Sequence, residues 1–122
     1  MKNLLALCTL LPFFAVASPL EESLKPWEPL EITQQTETIR IVLNERRITN
    51  NIYEAIVQNG ICMPLWLQKD NEYLEAVKEI EILNQFEKQG FVFENPMESC
   101  QKIGDSTGEA ANLILMGGTH IF

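Results

Sequence analysis

Two cysteines, Cys62 and Cys100, constrain the fold of this chain more than any other feature of the sequence. A third cysteine, Cys8, lies in an N-terminal segment that we expect to be removed on export, so a single pairing remains. Disulfides persist in exported proteins. Closing a loop of about 39 residues would stabilise the fold by roughly 4 kcal/mol, which is comparable to the net stability of a small domain. We therefore predict a structural disulfide between Cys62 and Cys100.

The first 17 residues have the pattern of a secretory signal peptide. Lys2 supplies a positive charge, residues 4–14 form an apolar stretch, and Ala15 and Ala17 are the small residues that signal peptidase requires. The apolar stretch is shorter than the roughly 20 residues of a transmembrane helix. We expect cleavage after Ala17, export to the periplasm or the exterior, and a mature chain that does not insert into the membrane.

The mature chain is strongly acidic. The full sequence has 9 basic and 17 acidic side chains, and only Lys2 lies in the leader, which leaves 8 − 17 = −9. Nucleic acids and anionic lipids attract Lys and Arg rather than carboxylates. The charge therefore argues against both as partners and favours a basic protein.

The mature chain divides into an arm and a domain. Residues 18–36 contain three prolines and no hydrophobic periodicity, so we predict an extended acidic arm that carries Trp27. Residues 37–122 are predicted to form one domain. It opens with alternating apolar residues at 36–43, which predict a strand with Ile39 and Ile41 on one face.

A short helix is predicted after this strand. Asn50 or Asn51 is its expected N-cap, and Gly60 suits the position after its last turn. Cys62 would then lie just beyond the helix, in a loop that contains Pro64.

Residues 70–89 support two interpretations. Apolar residues at spacings of three and four, from Tyr73 to Phe86, predict an amphipathic helix that Asp70 or Asn71 caps. The alternative is a strand, because EIEIL at 79–83 also alternates. We favour the helix, since Glu, Ala, Lys and Leu have high helix propensity. Residues 79–94 could thus form a helix followed by a strand, or a hairpin.

Two helices are predicted near the C-terminal end. FVFE at 91–94 indicates a short strand, and a helix over 96–104 that contains Cys100 follows it. Four residues mark the ends of that helix: Asn95, Pro96, Glu98 and Gly104. A last helix is expected from Ser106 or Thr107 to Gly117. The predicted fold class is therefore α+β and mostly helical, a small single domain of about four helices with one or two short strands and one disulfide.

No residue pattern predicts catalysis, a cofactor or a metal site. His120 is the only histidine and lies near the end of the sequence, a poor place to hold a catalytic base. Ser99 or Ser106 with Asp105 could complete a Ser-His-Asp set, but no Gly-x-Ser-x-Gly elbow is present. The cysteines are too far apart for a Cys-x-x-Cys redox pair, and with His120 they fall short of four zinc ligands. We predict a non-enzymatic protein.

Four apolar residues are the candidate partner contacts: Trp27, Met63, Leu65 and Trp66. Trp27 lies between two prolines of the arm, and the other three follow Cys62. Aromatic residues and Met are enriched in the cores of interfaces. The competing interpretation places these side chains in the core of the protein.

These features predict an exported, non-enzymatic protein-binding module of the bacterial cell envelope, whose partner is another envelope protein. One version is an accessory subunit of a periplasmic assembly such as a secretion or conjugation apparatus, with binding that depends on Trp27 and Trp66. The alternative is an inhibitor or immunity protein that binds a basic wall-degrading enzyme or toxin through its acidic surface. A third hypothesis, a small hydrolase that uses His120, has the weakest support.

Overall fold

A five-stranded mixed sheet lies at the centre of the structure, a computed structural model that describes residues 19–67 and 72–122. The strands lie side by side in sequence order, β2 and β3 run parallel, and the other neighbouring pairs run antiparallel. Their bounds are Glu31–Gln35 (β1), Thr38–Val42 (β2), Glu79–Leu83 (β3), Gly90–Glu94 (β4) and Thr119–Ile121 (β5). The predicted signal peptide, residues 1–17, and the predicted cap residues Asp70 and Asn71 lie outside the described residues.

Short helices accompany the sheet. The α-helices of the described residues are Pro19–Ser23 (α1), Asn50–Ala55 (α2), Met63–Leu67 (α3), Pro96–Gly104 (α4) and Gly108–Gly117 (α5). A π-helical segment, Ile56–Cys62, joins α2 to α3, and single 3-10 turns span Lys25–Trp27 and Glu72–Leu74. In this part of the chain, no helix is both long enough and apolar enough to cross a membrane.

The prediction of a mostly helical fold with one or two short strands is wrong, because the sheet has five strands. Two of the additional strands, β1 and β5, lie at the edges of the sheet, where most side chains on both faces are exposed. Such strands do not need the apolar alternation that identifies a strand in a sequence. The third, β3, has the alternation but lies in a segment whose apolar residues also fit a helix.

Residues 79–83 form β3, which confirms the alternative interpretation of EIEIL as a strand. Ile80 and Ile82 are fully buried between β2 and β4. The predicted helix would bury Phe86, which is instead 59% exposed. Strand pairing prevails because it gives both β2 and β4 a hydrogen-bonded neighbour, which a local helix cannot supply.

A buried amide holds the turn between β3 and β4. The side-chain oxygen of Asn84 accepts hydrogen bonds from the backbone N–H groups of Lys88 and Gln89, and its amide donates to the carbonyl of Arg46. Gln89 in turn bonds both the N–H and the carbonyl of Ile48. These contacts tie the turn to the loop before α2 and replace the helical bonds that the sequence pattern suggests.

The segment predicted as an extended arm, residues 18–36, packs onto the domain from Pro19 onwards. Leu20 and Leu24 are buried in the core cluster, and Trp27 is half-buried against it. β1 then pairs with β2. The three prolines do not prevent this packing, because Pro19 begins α1, Pro26 lies in the first turn of the 3-10 helix, and Pro29 precedes β1.

The two faces of the sheet differ in chemistry. The face that packs against the helices supplies five core residues: Ile39, Ile41, Ile80, Ile82 and Phe93. On the other face, which we call the open face, Arg40 pairs with Glu81 and Glu87. The guanidinium of Arg40 also lies 5.6 Å from the centre of the Phe122 ring. Val42, Leu83 and Val92 lie on the open face by strand alternation and are buried, so this face combines cross-strand charge pairs with covered apolar residues.

The helix that begins at Asn50 continues to Leu67, so the predicted end at Gly60 is wrong. Its N-cap is Thr49, whose hydroxyl oxygen accepts a hydrogen bond from the first turn, rather than either predicted asparagine. Gly60 serves close packing instead, since a Cβ there would lie 2.6 Å from the Cδ2 of Leu24. We call residues 50–67 the central helix.

Pro64 explains why the central helix widens into π-helical turns. A proline inside a helix removes one N–H donor, and its ring clashes with the carbonyl four residues earlier. That carbonyl belongs to Gly60, and it accepts a hydrogen bond from the hydroxyl of Ser23 instead. The wider turns, such as the bond from the Met63 N–H to the Gln58 carbonyl, make room for the ring. A side chain of α1 thus replaces the missing helix donor.

The predicted disulfide between Cys62 and Cys100 is confirmed, and it joins the central helix to α4. Both residues are fully buried, with their Cα atoms 5.2 Å apart. The predicted bounds are also confirmed for α4, which spans 96–104, and for α5, which follows Thr107 and ends at Gly117, but the side chain of Asn95 makes no capping hydrogen bond.

Removing the disulfide should lower the free energy of unfolding by about 4 kcal/mol, because the unfolded chain regains the freedom of a loop of about 39 residues. The variant carries Cys62→Ala and Cys100→Ala, and urea unfolding followed by circular dichroism measures the change. Reduced wild-type chain is the matched control, because it loses the link without losing the sulfur atoms. A loss below about 1 kcal/mol in both samples would contradict a stabilising role.

Alkaline pH should destabilise the protein through Tyr73, whose hydroxyl donates to the Ile61 carbonyl at 2.8 Å in the π-helical segment. Burial raises the pKa of Tyr73 to about 12, from about 10 in the unfolded chain. The unfolded chain therefore releases this proton first, so the stabilisation is intact below about pH 10 and is lost as the pH rises towards about 12. At neutral pH, Tyr73→Phe should have a free energy of unfolding about 1 kcal/mol below that of the wild type. Above about pH 10 the free energy of unfolding should fall less in Tyr73→Phe than in the wild type, so the difference between the two chains should shrink. Urea midpoints of both chains across this range measure the effect, and a constant difference between them would contradict it.

Candidate functional site

A groove of about 570 Å³ lies where the central helix meets the loop between α4 and α5. Trp66 and Gln58 line it from the central helix. The other lining residues are Ile103 and Gly104 at the end of α4, Ser106 and Thr107 in the loop, and Gly108, Ala111 and Asn112 on α5. The Gln58 amide donates to the side-chain oxygen of Asn112 at 3.2 Å, which connects the two sides. The groove therefore exists only once these separate segments pack together.

The indole ring of Trp66 is held in place although the residue is 38% exposed. Its Nε1 donates a hydrogen bond to the carbonyl of Cys100 at 2.9 Å. Gly104 packs against the ring, since a Cβ at this position would lie 2.6 Å from Nε1. A fixed side chain loses little conformational entropy when a partner covers it, and an aromatic ring of this kind suits an interface anchor.

α5 also carries exposed apolar side chains close in sequence to the residues that line the groove. Met116 follows Asn112 by four residues and therefore lies on the same face of the helix, with Leu113 beside it. Leu113 is 74% exposed and Met116 is 36% exposed. Leu67, at the end of the central helix, is also largely exposed. We call the groove together with Trp66, Leu67, Leu113 and Met116 the Trp66 face.

The charge at the edge of the Trp66 face is negative. Asp105 lies in the α4–α5 loop and Glu109 in the first turn of α5, and both are exposed. Within the described residues, neither carboxylate has an ion-pair partner. Lys102 on α4 pairs with Glu98 at 3.3 Å. A protein that binds here therefore meets carboxylates whose charge no neighbouring cation offsets.

The structure separates the four residues predicted as partner contacts. Trp66 is partly exposed at the groove, and Met63 is half-buried at the start of α3. Leu65 is only 6% exposed and belongs to the core cluster. Trp27 is half-buried beside Gly60, on a different side of the central helix from the Gly104 contact. Of the four, Trp66 is the residue that the geometry places at a candidate site.

The side chains considered for hydrolysis make other hydrogen bonds. The imidazole of His120 on β5 bonds the carboxylate of Glu94 on β4. Ser99 and Ser106 donate their hydroxyls to the main-chain carbonyls of Glu94 and Lys102. Among the residues that the structure describes, no three His, Cys, Asp or Glu side chains cluster where they could hold a metal ion. The absence of an activity, a metal and a cofactor stays a prediction.

Sequence analysis does not identify the part of the Trp66 face that α5 contributes. A signal for it exists, because residues 113–116, LILM, are four consecutive apolar residues, and one buried stripe of a helix cannot hold them all. The contact between Gly104 and Trp66 leaves no such signal. It depends on two helices that only the tertiary structure brings together.

Comparisons of this chain with protein-family models, curated proteins and solved structures give no match. The functional interpretation therefore depends on the residues and the geometry of this chain alone. Exposure, rigidity and charge at the Trp66 face are the observations available for it.

Gly104→Ala should displace the Trp66 indole, because the new methyl carbon would lie only 2.6 Å from Nε1. We expect stronger acrylamide quenching and red-shifted emission of Trp66, with a loss of stability of about 1 kcal/mol from the broken bond to Cys100. A Trp27→Phe background leaves Trp66 as the sole tryptophan. Gly117→Ala is the matched control, since nothing lies within 4 Å of its added Cβ. Unchanged emission in Gly104→Ala would contradict the rigid placement of the ring.

Proposed function

We propose that this chain is an exported, non-enzymatic protein-binding module of the bacterial cell envelope, an accessory subunit of a periplasmic assembly such as a secretion or conjugation apparatus. The observation that carries the proposal is the Trp66 face, where a fixed aromatic ring lines a groove and exposed Leu113 and Met116 lie on α5, the helix that forms one wall of that groove. Protein interfaces concentrate their binding energy in such aromatic anchors, and Met is enriched among their residues. The signal-peptide pattern at residues 1–17 and the disulfide, which suits an oxidising compartment, support the location.

The partner that best fits the Trp66 face is a protein segment with apolar and basic side chains. Leu113 and Met116 offer apolar contact area, and Asp105 and Glu109 offer uncompensated negative charge. A Lys or Arg beside the Trp66 ring would gain a cation–π contact as well as a charge interaction. Charge at the rim of an interface mainly steers association and sets partner choice.

The same acidic rim favours a second candidate function, an inhibitor or immunity protein that binds a basic wall-degrading enzyme or toxin. The two functions differ in how much of the binding energy comes from charge. An inhibitor that acts through its acidic surface should bind much more weakly as salt screens the charges. An accessory subunit held mainly by the apolar anchors should keep most of its affinity.

We assign binding to Trp66 rather than to Trp27. Trp27 packs against the core beside Gly60, where it helps to hold α1 on the central helix. Its substitution should therefore reduce stability more than partner binding. This assignment replaces the expectation that binding depends on both Trp27 and Trp66.

Affinity capture of the mature chain from its native envelope, with partners identified by mass, tests the proposal. Leu113→Ser and Trp66→Ala should each weaken capture of the same protein by about tenfold or more, because anchors of this kind are worth 2 kcal/mol or more. Phe86→Ser is the matched control, since Phe86 is also largely exposed but lies in the β3–β4 turn. Repeating the capture at high salt separates the accessory subunit from the inhibitor.

Two outcomes would overturn this proposal. One is the absence of any specific partner at physiological salt. The other is a partner whose capture is unchanged in both Leu113→Ser and Trp66→Ala while circular dichroism shows that the variants are folded. Leu113→Ser keeps the test decisive if Trp66→Ala fails to fold, because Leu113 is 74% exposed and makes little contact with the core.

A further inference from the structure

The outer edge of β1 is free in the described structure. β1 is the first strand of the sheet and pairs on one side only, with β2. Four of its five residues are exposed, and Ile32 is half-buried. Natural proteins usually protect such an edge with Lys, Pro or a bulge, because it offers unpaired backbone groups to other strands. β1 contains no Lys or Pro, and its one charged residue, Glu31, is the first residue of the strand.

The hydrogen-bonding pattern shows which backbone groups of β1 point outwards. The N–H of Leu43, next to the end of β2, donates to the carbonyl of Leu83 on β3. Backbone groups point to alternate sides along a strand, so the even-numbered residues of β2, including Arg40, direct their N–H and carbonyl groups to β1. Arg40 faces Thr33 in the register, and Thr33 therefore bonds inwards. The N–H and carbonyl groups of Ile32 and Gln34 consequently face the free edge.

This edge is complementary to itself in one antiparallel register. When Thr33 lies opposite Thr33 of a second copy, Ile32 of each copy can exchange both backbone bonds with Gln34 of the other. Glu31 then lies opposite Gln35, whose amide can donate to the carboxylate. Threonine pairs and paired polar groups across strands are favourable, whereas a parallel arrangement would place the two Glu31 side chains beside each other.

We propose that two copies of this chain pair through β1, antiparallel about Thr33, to form a continuous ten-stranded sheet. The two open faces then form one surface, and the Trp66 faces of both copies stay free because they lie on the helices. Five-residue strands bury less area than a standard interface, so the dimer is weak and concentration-dependent. Each mature copy carries a net charge of 8 − 17 = −9, so salt strengthens this dimer by screening repulsion. Partner binding at the acidic Trp66 face has the opposite salt dependence.

Sedimentation equilibrium of the mature chain at low and high salt tests the proposal. The wild type should dimerise, more tightly at high salt. Thr33→Lys and Thr33→Glu should each weaken the dimer by at least about tenfold, because like charges then face each other across the two-fold axis. An equal mixture of the two variants should restore it, since the introduced lysine faces the introduced glutamate. Phe86→Lys adds the same charge away from β1 and serves as the control.

Cysteine cross-linking tests the register directly. Thr33 would form a non-hydrogen-bonded pair, in which Cα atoms are about 4.5 Å apart and a disulfide fits. Thr33→Cys should therefore oxidise to a covalent dimer. Gln35→Cys, on the same face of the strand, should not, because its opposite residue is Glu31 of the second copy.

Three results would overturn the inference. In sedimentation, the wild type could stay monomeric at all concentrations, or its dimer could be as tight in Thr33→Lys as in the wild type. In cross-linking, Thr33→Cys and Gln35→Cys could form covalent dimers equally. If the wild type is monomeric and Thr33→Lys no longer captures the envelope partner, the edge of β1 binds a strand of that partner instead of a second copy. Loss of dimerisation with intact capture through the Trp66 face would leave the proposed function standing, because the two surfaces are separate.

Discussion

The disulfide between Cys62 and Cys100 is the constraint on which the stability of the fold and the candidate site both depend. It ties the central helix to α4 at fully buried positions. Trp66 follows Cys62 by about one turn of helix, and its indole bonds the carbonyl of Cys100 itself. The covalent link therefore sets the distance between the ring and the end of α4, where Gly104 lies. A redox change that broke the link would affect the groove as well as the free energy of unfolding.

A second constraint is the proline inside the central helix. Pro64 removes a helix donor, and the fold compensates with π-helical turns and with Ser23 as a substitute donor to the Gly60 carbonyl. Tyr73 bonds the next carbonyl, that of Ile61. The widened helix thus accepts hydrogen bonds from segments before and after it in the chain. Its irregularity fixes α1 and the 3-10 turn at 72–74 onto the domain, so that a short chain gains tertiary contacts from a local defect.

The elements that sequence analysis predicts correctly are those that local chemistry specifies. Asn95, Pro96 and Gly104 mark α4, because helix ends need particular residues in sequence order. β2 and β4 show apolar residues on the face that meets the core. β3 was ambiguous, since Ile80 and Ile82 fit a strand while Tyr73, Val77 and Ile80 fit a helix. The choice depends on hydrogen bonds from β2 and β4, which no window of the sequence contains.

The sequence by itself indicated the disulfide, because the two cysteines outside the predicted leader allow one pairing, and it determined the acidic net charge and the ends of α4 and α5. Only the tertiary structure decided the five-stranded sheet, since edge strands such as β1 lack alternation and β3 needs distant partners. It also decided that Leu65 belongs to the core and that Trp66 lies exposed beside a groove. Neighbouring residues on a helix point in different directions, and which direction meets the core depends on the elements that pack around it.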